Sequence, residues 1–254
     1  MQEVADLTEL LSKLDGLCND VNELIPISSI PLPKSPPMDY GFFPGGNGLF
    51  LGERATKFPC GGTLILGLNF GCCGGFIDER TGELWTTDER SGATWKGLRH
   101  ILPKSGIDLD ECFFTNAWPF LHKGNNNKAR PEKWLNDSEL TLACGGFFMA
   151  TFCRMRPRLI VTLGWGAAEF LRRLSPENFG HAHLGSFSDE WALRTGEAVF
   201  EFRADELGTV RAVCFSIKHP ARGKSVRRPV LNTDEELREI EVLKRAKKKA
   251  LSLS

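Results

Sequence analysis

Apolar residues at the start of the chain recur at helical spacing. Leu7, Leu10, Leu11, Leu14, Leu17, Val21 and Leu24 fall on one face of a 3.6-residue period and predict an amphipathic helix over residues 1–25. Pro26, Pro31, Pro33, Pro36 and Pro37 stop it. They begin a stiff, extended connector over residues 26–60, which includes the glycine-rich Gly45-Gly46-Asn47-Gly48. The pattern then changes to short uninterrupted apolar runs. Residues 63–68, 112–115 and 159–163 are such runs, and with a fourth segment at 210–217 they suit strands buried on both faces. The last is expected to pair through a hairpin with residues 198–202. Between the runs lie helical patterns at 94–102, 138–155 and 166–174. Strands alternating with helices at this spacing predict a three-layer α/β/α sandwich around a central, mainly parallel four-stranded sheet. It occupies residues 61–230, and a basic C-terminal helix follows over residues 231–254.

In sheets of this kind ligands sit at the carboxyl ends of the strands. Four segments there share a character: Gly67-Leu68-Asn69-Phe70-Gly71, Thr115-Asn116-Ala117-Trp118-Pro119-Phe120, Leu163-Gly164-Trp165-Gly166, and Lys218-His219-Pro220-Ala221-Arg222-Gly223-Lys224. A carboxamide offers both a donor and an acceptor, which suits an edge-on grip of a nucleobase. Histidine can donate to an oxygen that gains negative charge, and glycine lets backbone approach a flat ligand or a phosphate. Each member also has a plainer reading. Asn69 and Asn116 can fold loops as Asx turns, His219 can be a structural or surface histidine, and Gly71-Cys72-Cys73-Gly74-Gly75 can be a tight turn. Convergence of all four on one edge is what gives them meaning.

The 254 residues carry 32 Lys+Arg against 32 Asp+Glu, an ordinary globular balance that rules out disorder and collagen-like repetition. The zero net charge hides an uneven distribution. Residues 218–254 hold 11 Lys and Arg against 5 Asp and Glu, a net of +6, so the preceding residues net −6. A basic end permits nucleic-acid contact through counterion release, and it equally fits a solvated, charge-rich final helix. No apolar run approaches the roughly 20 residues of a bilayer span, and the acidic N-terminus does not read as a signal peptide. A cytoplasmic protein, expected to be a monomer, follows. The eight cysteines are scattered without a CxxC spacing, so neither zinc nor an iron–sulfur cluster is indicated and no cofactor is expected. Cys112, Cys144, Cys153 and Cys214 read as small core residues. Cys72 and Cys73 are candidates for a thiol site.

In order and spacing, the four segments resemble the uracil-DNA glycosylase superfamily, most closely its mismatch-specific and single-strand-selective monofunctional branches. Gly67-Leu68-Asn69-Phe70-Gly71 resembles the first motif, Gly-x-Asn-Pro-Gly, with Phe70 in place of the proline. Residues 113–119 resemble the strand whose terminal Asn reads the pyrimidine edge. Residues 159–164 with the helix that follows resemble the next unit, and His219-Pro220-Ala221 resembles the His-Pro-Ser/Ala motif ahead of the DNA wedge. The Thr94-Trp95-Lys96-Gly97-Leu98 helix adds to the likeness, which covers about residues 64–228.

The resemblance implies a DNA glycosylase that rotates a pyrimidine out of the duplex and hydrolyses its N-glycosidic bond. It gives Asn69 the attacking water, His219 the hydrogen bond to the base O2, Asn116 the base edge, and Phe70 the base face, with Gly67 and Gly71 shaping the pocket. Gly164 and Gly166 would meet phosphate, as would Arg222 and Lys224 in a wedge that includes Pro220 and Ala221. Asn69 stands where the fastest uracil enzymes carry aspartate. Asp78, Glu79 and Glu53 are the candidate general bases by proximity in sequence. The Cys-Cys-Gly-Gly stretch and the insert over residues 76–92 point to a roomy pocket. The base is therefore uracil, a small damaged pyrimidine, or a bulky hypermodified cytosine of phage DNA, the last implying an anti-phage defence role. A non-catalytic nucleic-acid-binding module of the same fold and a thiol-dependent enzyme remain as alternatives.

Overall fold

The computed structural model describes residue 13 and residues 60–72, 93–122, 134–174, 199–204, 208–217 and 234–252. The predicted helix over residues 1–25 lies outside them apart from Lys13, and the connector lies outside them apart from Cys60. The described order is β1 (Thr63–Cys72), α1 (Ala93–Lys104), a 3-10 turn (Leu109–Glu111), β2 (Cys112–His122), α2 (Ser138–Met155), β3 (Leu159–Leu163), α3 (Trp165–Leu174), β4 (Val199–Ala204), β5 (Gly208–Ile217) and α4 (Asp234–Ser252). The sheet runs β2-β1-β3-β5-β4. β2, β1, β3 and β5 are mutually parallel, and β4 closes one edge as the antiparallel arm of a hairpin with β5. The parallel four-stranded sheet is as the apolar runs predict, and so is the hairpin.

The two faces of the sheet bury separate cores, as period-2 alternation requires. Leu64, Leu66 and Leu68 of β1 join Phe113, Ile160 and Cys214 beneath α2 and α3. Ile65 joins Phe114, Val161, Leu163, Val213 and Phe215 beneath α1 and α4. Helices on both faces make this a three-layer α/β/α sandwich. Its large interior aromatics, among them Trp118, Phe113, Phe114, Phe148, Phe152 and Phe170, are fully buried. At about 25 cal/mol per Å² of apolar surface, such rings dominate the stabilisation.

Local chemistry fixes where the helices begin and end. Asp137 caps α2, its carboxylate accepting from Leu140 N at 3.0 Å. Arg156 ends α2 in the left-handed region at φ 46°, its amide donating to Phe152 O. The helix then turns straight into β3, with Gly61 N donating to Met155 O at 2.8 Å and Arg158 N to Gly62 O at 3.1 Å. On the opposite layer His100 of α1 meets Glu236 of α4 at 2.5 Å, with Lys104 at 3.5 Å from the same carboxylate. These groups are partly exposed, so the cluster orients the two helices more than it stabilises them.

The basic C-terminal helix is part of the sandwich. Ile240, Val242, Leu243, Ala246 and Ala250 are buried in the α1/α4 core, leaving Lys244, Arg245 and Lys248 in solvent. Lys247 donates to Gly106 O, just ahead of the start of β2. The cluster of lysines therefore lies at the amino edge of the sheet, the end opposite the strand termini that carry the candidate chemistry.

Candidate functional site at the carboxyl edge of the sheet

β1 and β2 run on beyond their neighbours. β3 pairs with β1 only from Thr63↔Leu159 to Leu66↔Thr162 and ends at Leu163. β1 and β2 continue together through Gly67↔Asn116 and Asn69↔Trp118 to Cys72↔His122. A two-stranded ribbon thus projects past the end of β3, and Asn69 and Asn116 belong to that ribbon. The apolar pattern of the first two strands ends at residues 68 and 115. It places both asparagines in the segments that follow, where the structure extends the pairing through them. The cause is tertiary: each strand supplies the other's hydrogen-bonding edge beyond the point where β3 stops.

The pairing shifts register between Asn69 and Gly71, with β2 gaining one residue over Pro119-Phe120. Proline has no amide to give a ladder, so a bulge is where a strand tolerates it. Alternation breaks at the same place. Ala117 and Trp118 are neighbours, yet both enter the core under α2 and α3. Trp118 is fully buried there, edge-on to Phe170 at 5.4 Å and to Trp134 at 6.1 Å. Asn116 is buried, with 4% of its surface exposed, and Asn69 is half-buried. By alternation Asn116 follows Phe114 and Asn69 follows Ile65, on the face that carries α1 and α4. Gly67, opposite Asn116, adds no side chain to that face. Next to Asn116 in sequence, Thr115 Oγ1 is buried without a hydrogen-bond partner, and so is Trp118 Nε1 two residues on. Each such group costs about 1–3 kcal/mol in a folded interior.

The other wall is the turn from β3 into α3. Gly164 has φ +79°, a conformation that favours glycine, and its amide donates to Ile217 O of β5 at 2.8 Å. Gly166 lies against β1: a Cβ there would stand 2.5 Å from Leu68 Cδ2. Between the two glycines, Trp165 opens α3 and keeps 40% of its surface exposed. Among the aromatic side chains whose burial is described, it is the exposed one. Residue type gives no signal of this, since tryptophan ordinarily favours burial.

α3 is anchored from behind. Glu169, with 6% of its side chain exposed, receives Arg172 at 2.6 Å and Arg173 at 2.9 Å. Arg173 also donates to Leu135 O and, at 3.3 Å, to Asn136 Oδ1. Burial pushes the Glu169 carboxyl up, but the two guanidinium groups hold it below the ordinary carboxylate value. The clamp ties α3 to the turn that carries Trp134, and so to the ring packed on Trp118.

The chain reverses its winding here. It goes from β1 to a neighbour on one side, β2, and then returns to β3 on the other side. The crevice between β1 and β3 is thus the topological switch point of a doubly wound sheet, where open α/β proteins bind ligands. The structure brings Asn69, Asn116, Gly67, Gly164 and Gly166 to this edge, with Phe70 and Gly71 following Asn69 in β1. His219, Pro220, Ala221, Arg222 and Lys224 lie outside the described residues, as do Asp78, Glu79, Glu53 and Cys73; Cys72 ends β1.

Cys112, Cys144 and Cys214 are buried and Cys153 is half-buried. Burial pushes the Cys214 thiol up to about 12, and burial followed by Asp108 and Glu111 pushes Cys112 higher still. Neither is a nucleophile at neutral pH. Among the described residues no group of three His, Cys, Asp or Glu side chains is gathered to hold a metal ion, and no helix is long and apolar enough to cross a membrane. The fold and crevice define a doubly wound α/β protein with a carboxyl-edge site. No family model matches the chain, and no curated protein matches it.

Proposed function

We propose that the chain is a monofunctional DNA glycosylase that hydrolyses the N-glycosidic bond of a flipped-out pyrimidine. The observation that carries this reading is the β1–β2 ribbon. It sets Asn69 and Asn116 two register steps apart on adjacent strands, beside the glycine turn of β3 and α3. Asn116 holds the base edge, and Asn69 holds the water that attacks C1′. The C1′–N1 bond breaks as C1′ gains the water's hydroxyl, and the departing base takes the proton. Charge that gathers on the base O2 is met by His219, two residues past the end of β5, a contribution of about 3 kcal/mol for one such donor. Phe70 stacks on the base, the amides around Gly164 and Gly166 meet phosphate, and residues 220–224 wedge into the opened duplex. A small or a bulky pyrimidine both suit this arrangement.

The test is base release from oligonucleotides carrying uracil, mispaired thymine, 5-hydroxymethyluracil or glucosylated hydroxymethylcytosine, read by alkali cleavage at the abasic site. Asn69→Ala and His219→Ala should each cut the rate by about 10²–10³-fold. Binding without cleavage of any of these bases would replace the reading with a nucleic-acid-binding module.

A further inference from the structure

Trp165 is held rigidly and left uncovered, and the proposed reaction as described gives it no part. Its backbone is fixed on both sides. Gly164 is pinned to Ile217 O at φ +79°, and Gly166 packs so closely on Leu68 that a Cβ there would stand 2.5 Å from Leu68 Cδ2. Ala167, Ala168 and Phe170 then bury the rest of the first turn of α3. An indole kept 40% exposed by so fixed a turn forgoes burial that an aromatic ring ordinarily gains on folding. Its place is specific as well. β3 is next to β1 in the sheet and one strand further from β2, so Trp165, two residues past the end of β3, opens α3 at the same carboxyl edge as Asn69 and on the side of β1 away from Asn116. A base gripped between Asn69 and Asn116 then has Trp165 on its β3 side, the side from which a neighbouring nucleotide can meet the ring.

Resting on the glycosylase reading, we propose that Trp165 is a specificity-determining residue that stacks on the nucleobase adjacent to the target. Every base offers a π face, so the contact is tolerant of sequence but requires that a base be present and unstacked from its neighbour. The substrate class is therefore a strand in which the nucleotide beside the target is also freed from the stack.

The experiment uses the full chain and short single-stranded oligonucleotides with 2′-fluorodeoxyuridine at the target, which binds without turnover. Affinity is read by fluorescence anisotropy for probes carrying an abasic spacer on the 5′ side, on the 3′ side, or on neither. For the wild type, one of the two spacers should weaken binding by about five- to a hundredfold, the range for loss of one base–aromatic stack. Trp165→Ala should weaken binding of the intact probe by a similar factor and should no longer respond to that spacer. Trp165→Phe should retain the response. Equal affinity of wild type and Trp165→Ala, losses that multiply for both spacers, or a wild type that binds none of the probes would each overturn the proposal. Because binding is read without chemistry, a chain that releases no base leaves this result standing. A chain that releases bases equally well with Trp165→Ala overturns this inference alone.

Discussion

Asn69 and Trp118 are register partners across the parallel β1–β2 ladder, one step before the register shifts. The half-buried carboxamide therefore shares a rung with a fully buried tryptophan. Trp118 is locked by Phe170 from α3 and Trp134 from the turn before α2, so the rung is braced by two helical elements. A polar group at the rim of an open sheet gains a defined position from this, without being drawn into the interior itself.

Gly166 and Leu68 transmit that rigidity between β1 and α3. Gly166→Ala would put a methyl group 2.5 Å from Leu68 Cδ2, and Leu68 is too enclosed to turn away freely. The expected cost is about 1–3 kcal/mol, which lowers the melting temperature by roughly 2–4 °C per kcal/mol in a chain of this size. In a Leu68→Ala background the same substitution should cost distinctly less. Thermal denaturation of the four variants checks this, and strictly additive losses would contradict the close approach.

Glu169 makes stability depend on acid. Its folded-state carboxyl lies below the ordinary value of 4.5, the guanidinium hydrogen bonds outweighing burial. Above about pH 5 it is ionised in both folded and unfolded chains, and the full contribution is present. As pH falls through the lowered folded value, the unfolded chain has already taken up its proton and the contribution is lost. Glu169→Gln should cost about 1–3 kcal/mol at neutral pH, below the value for a fully buried pair because the arginines are about a third exposed. The gap from wild type should narrow as the pH is lowered toward 3. Urea midpoints measured from pH 7 to pH 3 test both the size and the sign.

The position of α4 separates two sources of positive charge. Arg245 and Lys248 are solvent-exposed on the half of the helix that reaches the amino edge of the sheet. Replacing both with alanine should leave the salt dependence of oligonucleotide binding unchanged. Arg222→Ala and Lys224→Ala, in the segment after β5, should each lower the slope of log K against log salt by about 1. Anisotropy titrations at several salt concentrations distinguish the two. A steep loss from the α4 variants would move the DNA path to the other end of the sheet.

Thiol chemistry follows burial. Cys60 is exposed, whereas Cys112, Cys144 and Cys214 are buried and the last has its pKa pushed up to about 12. Native alkylation at pH 8, mapped by peptide mass spectrometry, should label Cys60 ahead of those three and leave them unmodified until the chain unfolds. Early modification of Cys214 would mean that the core beneath α2 opens readily.

The sequence by itself determined the main elements and their order in the α/β fold. The apolar runs at residues 63–68 and 159–163, with the segment at 210–217, suit strands covered on both faces, and the helices between them argue for a mainly parallel sheet. The carboxyl ends of those strands then marked Asn69, Asn116 and Gly164 as the residues to read. Tertiary structure alone decided the rest. Nothing local distinguishes a strand that ends at residue 68 from one that continues to Cys72, because the continuation depends on a neighbour's unpaired edge. Nor does composition show that the lysines of α4 lie at the amino edge, since which end a helix reaches is set by how its apolar face seats on the sheet. The exposed Trp165 is of the same kind: its residue type favours burial, and only the fixed turn between Gly164 and Gly166 holds it in solvent.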